Sequence, residues 1–182
     1  MAEVKEIDGS NRGIPTSEVI EDVAGWLTKE KLSPEEAELV LREKYRKYKY
    51  VENNMTLSRE RMSEKLPEFK NSLAILEVML EKRDKEEPFE TTFLLSDDVY
   101  SRAIVNKPDK VSIWLGANVM VEYELDKAKA LLEKNQSSVQ KLVDDLTAEL
   151  AFIKDQITTT EVNMAHIINY RVMLNKTKGD AK

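Results

Sequence analysis

Cysteine is absent from these 182 residues and histidine occurs once, as His166. That leaves neither a zinc-finger ligand set nor a disulfide framework, and no Cys–His or Ser–His–Asp constellation for nucleophilic catalysis. Glycine is almost as scarce. Between Gly25 and Gly179 the only one is Gly116, so no G-x-G-x-x-G turn or Walker-type loop lies inside the body of the chain. A carboxylate-only metal or glycosidase site is a formal alternative, because 34 acidic residues can always be paired on paper. No catalytic residue, metal ligand or cofactor contact is nominated.

Long apolar runs are missing too. The N-terminal stretch MAEVKEIDGSNRG lacks the basic flank and apolar core of a signal peptide, and no run approaches the length that crosses a bilayer. The expectation is a soluble cytoplasmic protein with no membrane contact, and the lack of cysteine fits a reducing compartment.

What the chain has in quantity is heptad order. With 34% charged residues, a 4-3-4-3 ladder stands out that is apolar at every rung except Glu52 and Arg59: Leu41, Tyr45, Tyr48, Glu52, Met55, Arg59, Met62, Leu66, Phe69, Leu73, Leu76, Leu80. A second ladder runs Leu125, Ala128, Leu132, Asn135, Val139, Leu142, Leu146, Leu150, Ile153, Ile157, Thr160, Met164, Ile167, with a stutter between Leu146 and Leu150. Long helices are predicted over 34–86 and 124–178. Ser33, Pro34 and Glu36 form a capping box at the first start. Pro67 predicts a kink within the first helix, because it removes the hydrogen bond to the Ser63 carbonyl at a cost of roughly 3 kcal/mol.

Ahead of this helix, residues 1–32 read as an N-terminal segment: a polar, disordered tail over 1–15 and then a short amphipathic helix from Thr16 to Lys29. Val19, Ile20, Val23, Trp26 and Leu27 share one face of that helix, which docks on this chain's coil or on a neighbour.

Between the long helices, residues 89–123 read as strand. Three turn signals, Ser96-Asp97-Asp98, Asn106-Lys107-Pro108-Asp109 and Gly116-Ala117-Asn118, separate four short runs and make two β-hairpins. Val111, Ile113 and Leu115 alternate along one run, and Val119, Val121 and Tyr123 along the next. Phe93, Leu95, Tyr100 and Ile104 supply apolar positions in the first hairpin, and Trp114 points opposite Ile113 in the second. Two hairpins cannot close a core, since every edge strand leaves backbone groups unpaired and both helices are committed to each other. Other chains are expected to cover these residues. The fold class is therefore α+β: a long antiparallel coiled-coil hairpin with two β-hairpins between its helices.

Helix, two hairpins and helix in this order resemble the alpha-type subunits of the prefoldin family, whose beta type has one hairpin. The stretch Asp109-Lys110-Val111-Ser112-Ile113-Trp114-Leu115-Gly116-Ala117-Asn118-Val119-Met120-Val121-Glu122-Tyr123 carries the resemblance most specifically. Thr158-Thr159-Thr160-Glu161-Val162-Asn163-Met164-Ala165, the Leu66-Pro67-Glu68 kink and Arg12-Gly13-Ile14-Pro15 extend it over nearly the whole chain. The segment before Ser33 is an addition to the simpler members. The resemblance implies a hetero-hexamer of two alpha-type and four beta-type subunits whose hairpins join in a double β-barrel. It implies an ATP-independent holdase whose coiled-coil tips grip unfolded clients of the actin and tubulin type and pass them to the cytosolic chaperonin.

Under that reading the ends of both helices meet at the tip, bringing Leu39, Val40, Tyr45 and Tyr48 near Ile167, Ile168, Tyr170, Val172 and Met173. These are the candidate client contacts, with simple closure of the seam as the alternative, because a two-helix seam uses only two positions in seven. The run Arg42–Tyr50, with five basic residues and three tyrosines in nine positions, invites a nucleic-acid reading. Seam positions for Tyr45 and Tyr48 and a net charge of -6 favour a solvated helix face and no nucleic-acid partner, with a tip surface that attracts acidic client segments as the alternative. His166 is expected to flank the seam. A structural coiled-coil tether without holdase activity is the alternative function.

Overall fold

A computed structural model describes residues 14–179. The elements are α1 (Val23–Glu30), α2 (Pro34–Ser63), α3 (Lys65–Asp84), β1 (Phe89–Ser96), β2 (Val99–Val105), β3 (Lys110–Gly116), β4 (Val119–Glu124) and α4 (Leu125–Gly179). Long helices thus flank two small antiparallel hairpins, an α+β coiled-coil fold. Among the described residues no helix is long and apolar enough to cross a membrane. The chain divides into two compact units, one made of residues up to Arg59 and from Asp144 onward, the other of Glu60–Val143.

In the first unit, α2 and α4 pack antiparallel. Ala37 and Leu41 meet Ile167, while Tyr48 and Met55 meet Leu150, Ile153 and Ile157. Burying each large aliphatic side chain stabilises the pair by roughly 1.5–3 kcal/mol. Leu146 and Leu150, either side of the stutter, are both buried. The capping box forms as its residue types require: Ser33 N–H donates to Glu36 Oε2 at 2.9 Å and Glu36 N–H to Ser33 Oγ at 3.2 Å.

The N-terminal segment differs from expectation. Helix α1 begins only at Val23, capped by Asp22, whose Oδ1 accepts from Gly25 N–H at 3.0 Å; residues 14–20 form an extended strap lying on the helices. The amphipathic spacing of Val19 and Ile20 was real but local, because the strap's backbone groups are bonded by side chains from α2 and α4 instead of by a helical turn. Ile14, expected in the tail, packs beside Tyr48 and Met55. Residues 1–13, which hold most of the expected disordered tail and Arg12 and Gly13 of the Arg12-Gly13-Ile14-Pro15 motif, lie outside the described residues.

In the second unit, α3 packs against the start of α4 through Leu76, Met79, Leu125 and Ala128. The predicted single helix is interrupted at Glu64, which keeps helical dihedrals (φ -61, ψ -25), and α3 ends at Asp84. The interruption puts Pro67 in the first turn of α3, where a missing N–H is tolerated. Glu64 N–H still donates to Glu60 O at 2.9 Å, so the break is a kink in one helical path where the Pro67 bond to Ser63 is missing.

Each hairpin is a separate two-stranded sheet, β1 with β2 and β3 with β4. Their registers are the same device repeated at a spacing of 20 residues. Leu94 opposes Tyr100 and Trp114 opposes Met120; the pairing then slips at Leu95 and at Leu115, resuming as Ser96 opposite Val99 and Gly116 opposite Val119. These bulges break the expected alternation of Val111, Ile113 and Leu115, turning Leu115 out of the ladder. At the second turn both loop residues, Ala117 and Asn118, have positive φ (49 and 61), as a type I′ hairpin requires.

Candidate interaction surfaces

The hairpins of the second unit carry ten of the large apolar side chains exposed among the described residues, all between Phe93 and Met120. They follow from the pleat. On the outer face Leu94 pairs with Tyr100 and Trp114 with Met120, and Trp114 is 57% exposed. Phe93, Leu95, Ile104, Leu115 and Val119 are exposed as well. The inner face of the second hairpin is different. Val111, Ile113 and Tyr123 pack with Phe89 against Leu76, Met79, Leu125 and Ala128, and Val121 is half-buried opposite Ile113. The expectation that no helix of this chain covers the hairpins is thus corrected, because the start of α4 and the end of α3 shield that face.

Beside the outward Trp114, a groove of about 500 Å³ runs between β3 and the helices, lined by Phe69, Ile75, Leu76, Met79 and Leu132 among others. Among the described residues each strand has one strand partner, so the outer edge of each hairpin strand has no ladder. Exposed apolar patches of this kind accompany interaction surfaces.

Charge at the helical base of this unit is locally balanced. Arg83 Nη1 donates to Asp126 Oδ2 at 2.7 Å, joining α3 to α4, and Lys129 Nζ reaches Glu77 Oε1 at 3.3 Å. The Arg83 hydrogen bond holds the Asp126 carboxyl below its ordinary range, and Lys127 does the same for Glu124. Among the described residues no group of three or more His, Asp or Glu side chains is placed to hold a metal ion.

In the first unit the candidate tip residues separate into three kinds. Tyr48 and Ile167 are 3% and 0% exposed; as client contacts they are corrected, since both are committed to the seam. Tyr45 and Ile168 line a groove of about 460 Å³ with Arg42, Arg46, Glu161, Met164 and Ala165, and Tyr170 is half-buried against the Ile167 cluster. Leu39, Val40, Val172 and Met173 are exposed, Met173 at 67%. Leu39, Val40, Val172 and Met173 fall off the two heptad positions that make the seam.

Below them a polar row was not anticipated. Gln156, Thr160 and Asn163 are buried on α4, spaced to share one helix face with His166. Ser17 N–H donates to Gln156 Oε1 at 2.6 Å and Ile20 N–H to Asn163 Oδ1 at 2.8 Å, while Asn163 Nδ2 donates to Glu18 O at 2.8 Å. His166 Nδ1–H donates to Ile20 O at 2.9 Å, Tyr48 Oη to Pro15 O at 2.5 Å and Lys44 Nζ to Thr16 O at 3.0 Å. The signal in the sequence was Thr160 on an otherwise apolar rung with Asn163 three residues on. Of the basic run, Tyr48 is thereby withdrawn from any stacking role, whereas Tyr50 is exposed.

The prefoldin-subunit family model matches residues 33–170. A probable prefoldin subunit 3 of Caenorhabditis elegans is 69% identical over 90% of this chain and 88% of its own length. Prefoldin subunit 3 of Homo sapiens is 45% identical over 88% of this chain and 82% of its own. Prefoldin subunit 3 of Elsinoe fawcettii is 30% identical over 100% of this chain and 91% of its own.

Proposed function

The chain belongs to the prefoldin family, a family of chaperone subunits, and on that premise we propose that it works as the alpha-type subunit of a hetero-hexamer with other alpha-type and beta-type chains. The complex holds unfolded proteins of the actin and tubulin type without ATP and delivers them to the cytosolic chaperonin. It acts in the cytoplasm and catalyses no reaction. The observation that supports assembly most directly is the apolar outer face of the two hairpins, where Leu94–Tyr100 and Trp114–Met120 repeat one cross-strand pair. Barrel closure with partner hairpins would bury these pairs and satisfy the open edges.

The experiment is reconstitution with beta-type partners carrying either the natural chain or the double variant Tyr100→Asp with Trp114→Asp. Both positions are exposed in the single chain, so helicity should survive while hexamer is lost in native mass spectrometry. Natural complex should suppress aggregation of a denatured protein equally with and without ATP. A complex that assembles but gives no protection points to the tether; full assembly by the double variant removes the hairpin interface.

A further inference from the structure

The strap over residues 14–20 is held in an unusual way. Six of its backbone groups, Pro15 O, Thr16 O, Ser17 N–H, Glu18 O, Ile20 N–H and Ile20 O, are bonded by side chains of α2 and α4. Among the described residues it pairs with no strand. Asn163 accepts from one strap amide and donates to a carbonyl two residues earlier, as a neighbouring β-strand would. One strap side chain is read by hydrogen bonding, Ser17 Oγ at 3.2 Å from Thr160 Oγ1. Ile14 and Ile20 enter apolar clusters at either end, while Pro15, Thr16, Glu18 and Val19 face solvent.

We propose that the groove floored by Gln156, Thr160, Asn163 and His166 is a binding site for extended polypeptide, read through its backbone. Residues 14–20 occupy it in cis, and a segment of an unfolded protein enters when they leave. Recognition through backbone groups is indifferent to sequence, apart from apolar side chains at the spacing of Ile14 and Ile20. The floor also suits exchange. A permanently covered seam is served by apolar residues, whereas these amide, hydroxyl and imidazole groups are satisfied equally by a strap, by a second chain or by water when the groove is open. The strap then acts as a resident competitor, and the apparent affinity for an unfolded chain scales with the fraction of open groove. This inference rests on the proposed holding of unfolded proteins and places part of it at a named site.

Because the chain has no natural cysteine, Ser17→Cys with Thr160→Cys creates a lock within this chain that oxidised glutathione closes and reductant opens. In the reconstituted complex, a photoreactive benzoylphenylalanine in place of Lys44 reports occupancy of the groove, and one in place of Val172 reports the neighbouring exposed surface. The probe is reduced, carboxymethylated lactalbumin, which cannot fold. Closing the lock should lower labelling from position 44 about tenfold, in proportion to the lost open fraction, and leave labelling from position 172 unchanged. Ile20→Glu, which frees the strap without touching the floor, should raise labelling from position 44; a lock that merely damaged the fold would not be mirrored by this opposite change. Equal labelling from position 44 in locked, unlocked and Ile20→Glu complexes overturns the strap site while leaving the holding function standing. No labelling from either position in any complex overturns both.

Discussion

Arg171 on α4 donates from Nη1 to Oε2 of Glu38 on α2 at 2.5 Å, and the other oxygen of the same carboxylate accepts from Arg42 at 2.6 Å. Glu38 is thus a buried carboxylate with both oxygens used, tying the start of α2 to the last third of α4. Arg171→Ala should destabilise this end by about 1–2 kcal/mol, the scale of a charge-assisted hydrogen bond softened by the remaining Arg42. Arg42→Ala should lower stability by less than about 1 kcal/mol, because that side chain is 57% exposed. Urea unfolding of the two variants, with amide exchange across residues 34–42, checks the order.

Acid should loosen the start of α2 and the helical base of the second unit. Hydrogen bonds from Ser33 hold the Glu36 carboxyl below its ordinary range, and Arg83 does the same for Asp126. A folded-state pKa depressed in this way contributes stability that is complete above the ordinary carboxylate range near about pH 4. It is lost as pH falls through the lower folded values. Ser33→Ala should move the Glu36 titration midpoint upward and reduce stability by about 1 kcal/mol. A carboxylate-resolved NMR titration reads both midpoints.

Pro67→Ala should change stability by less than about 1 kcal/mol. The new N–H gains a hydrogen bond of about 1 kcal/mol to Ser63, offset by the greater freedom of alanine in the unfolded chain. Were Pro67 a true interior proline, the gain would approach about 3 kcal/mol. Equilibrium unfolding of the two proteins separates these outcomes.

At the second hairpin, Ala117→Gly should stabilise the turn by about 0.5 kcal/mol, since Ala117 is held at φ 49 and glycine relieves that cost while losing more entropy on folding. Gly116→Ala should do the reverse by about 1 kcal/mol. An added Cβ there meets nothing within 4 Å, so the whole effect comes from φ +93. Thermal melts of the assembled complex are the readout.

Heptad spacing, the Ser33–Glu36 box and the turn residues around Asp98 and Asn118 were sufficient to predict the long helices and both hairpins from sequence, because each is decided by neighbours within a few positions. The exposed pairs at Tyr100 and Trp114 were half legible: alternation gave them a common side, but the bulges at Leu95 and Leu115 appear only when strands choose a register. The strap was not legible. Val19, Ile20, Val23 and Leu27 carry a helical period, and local propensity favours a turn at 16–22. Gln156, Asn163 and Tyr48 override it from 33 to 145 residues away, since a polar floor that bonds an extended backbone outweighs one marginal helical turn. Tyr48 and Ile167 are rungs of the two heptad ladders, so a seam role was legible for both, and the packing of α2 against α4 decides for it over the client contact that the same apolar face allowed. What spacing along one helix can encode was fixed before folding; what depends on which distant backbone a side chain meets was decided by the tertiary structure.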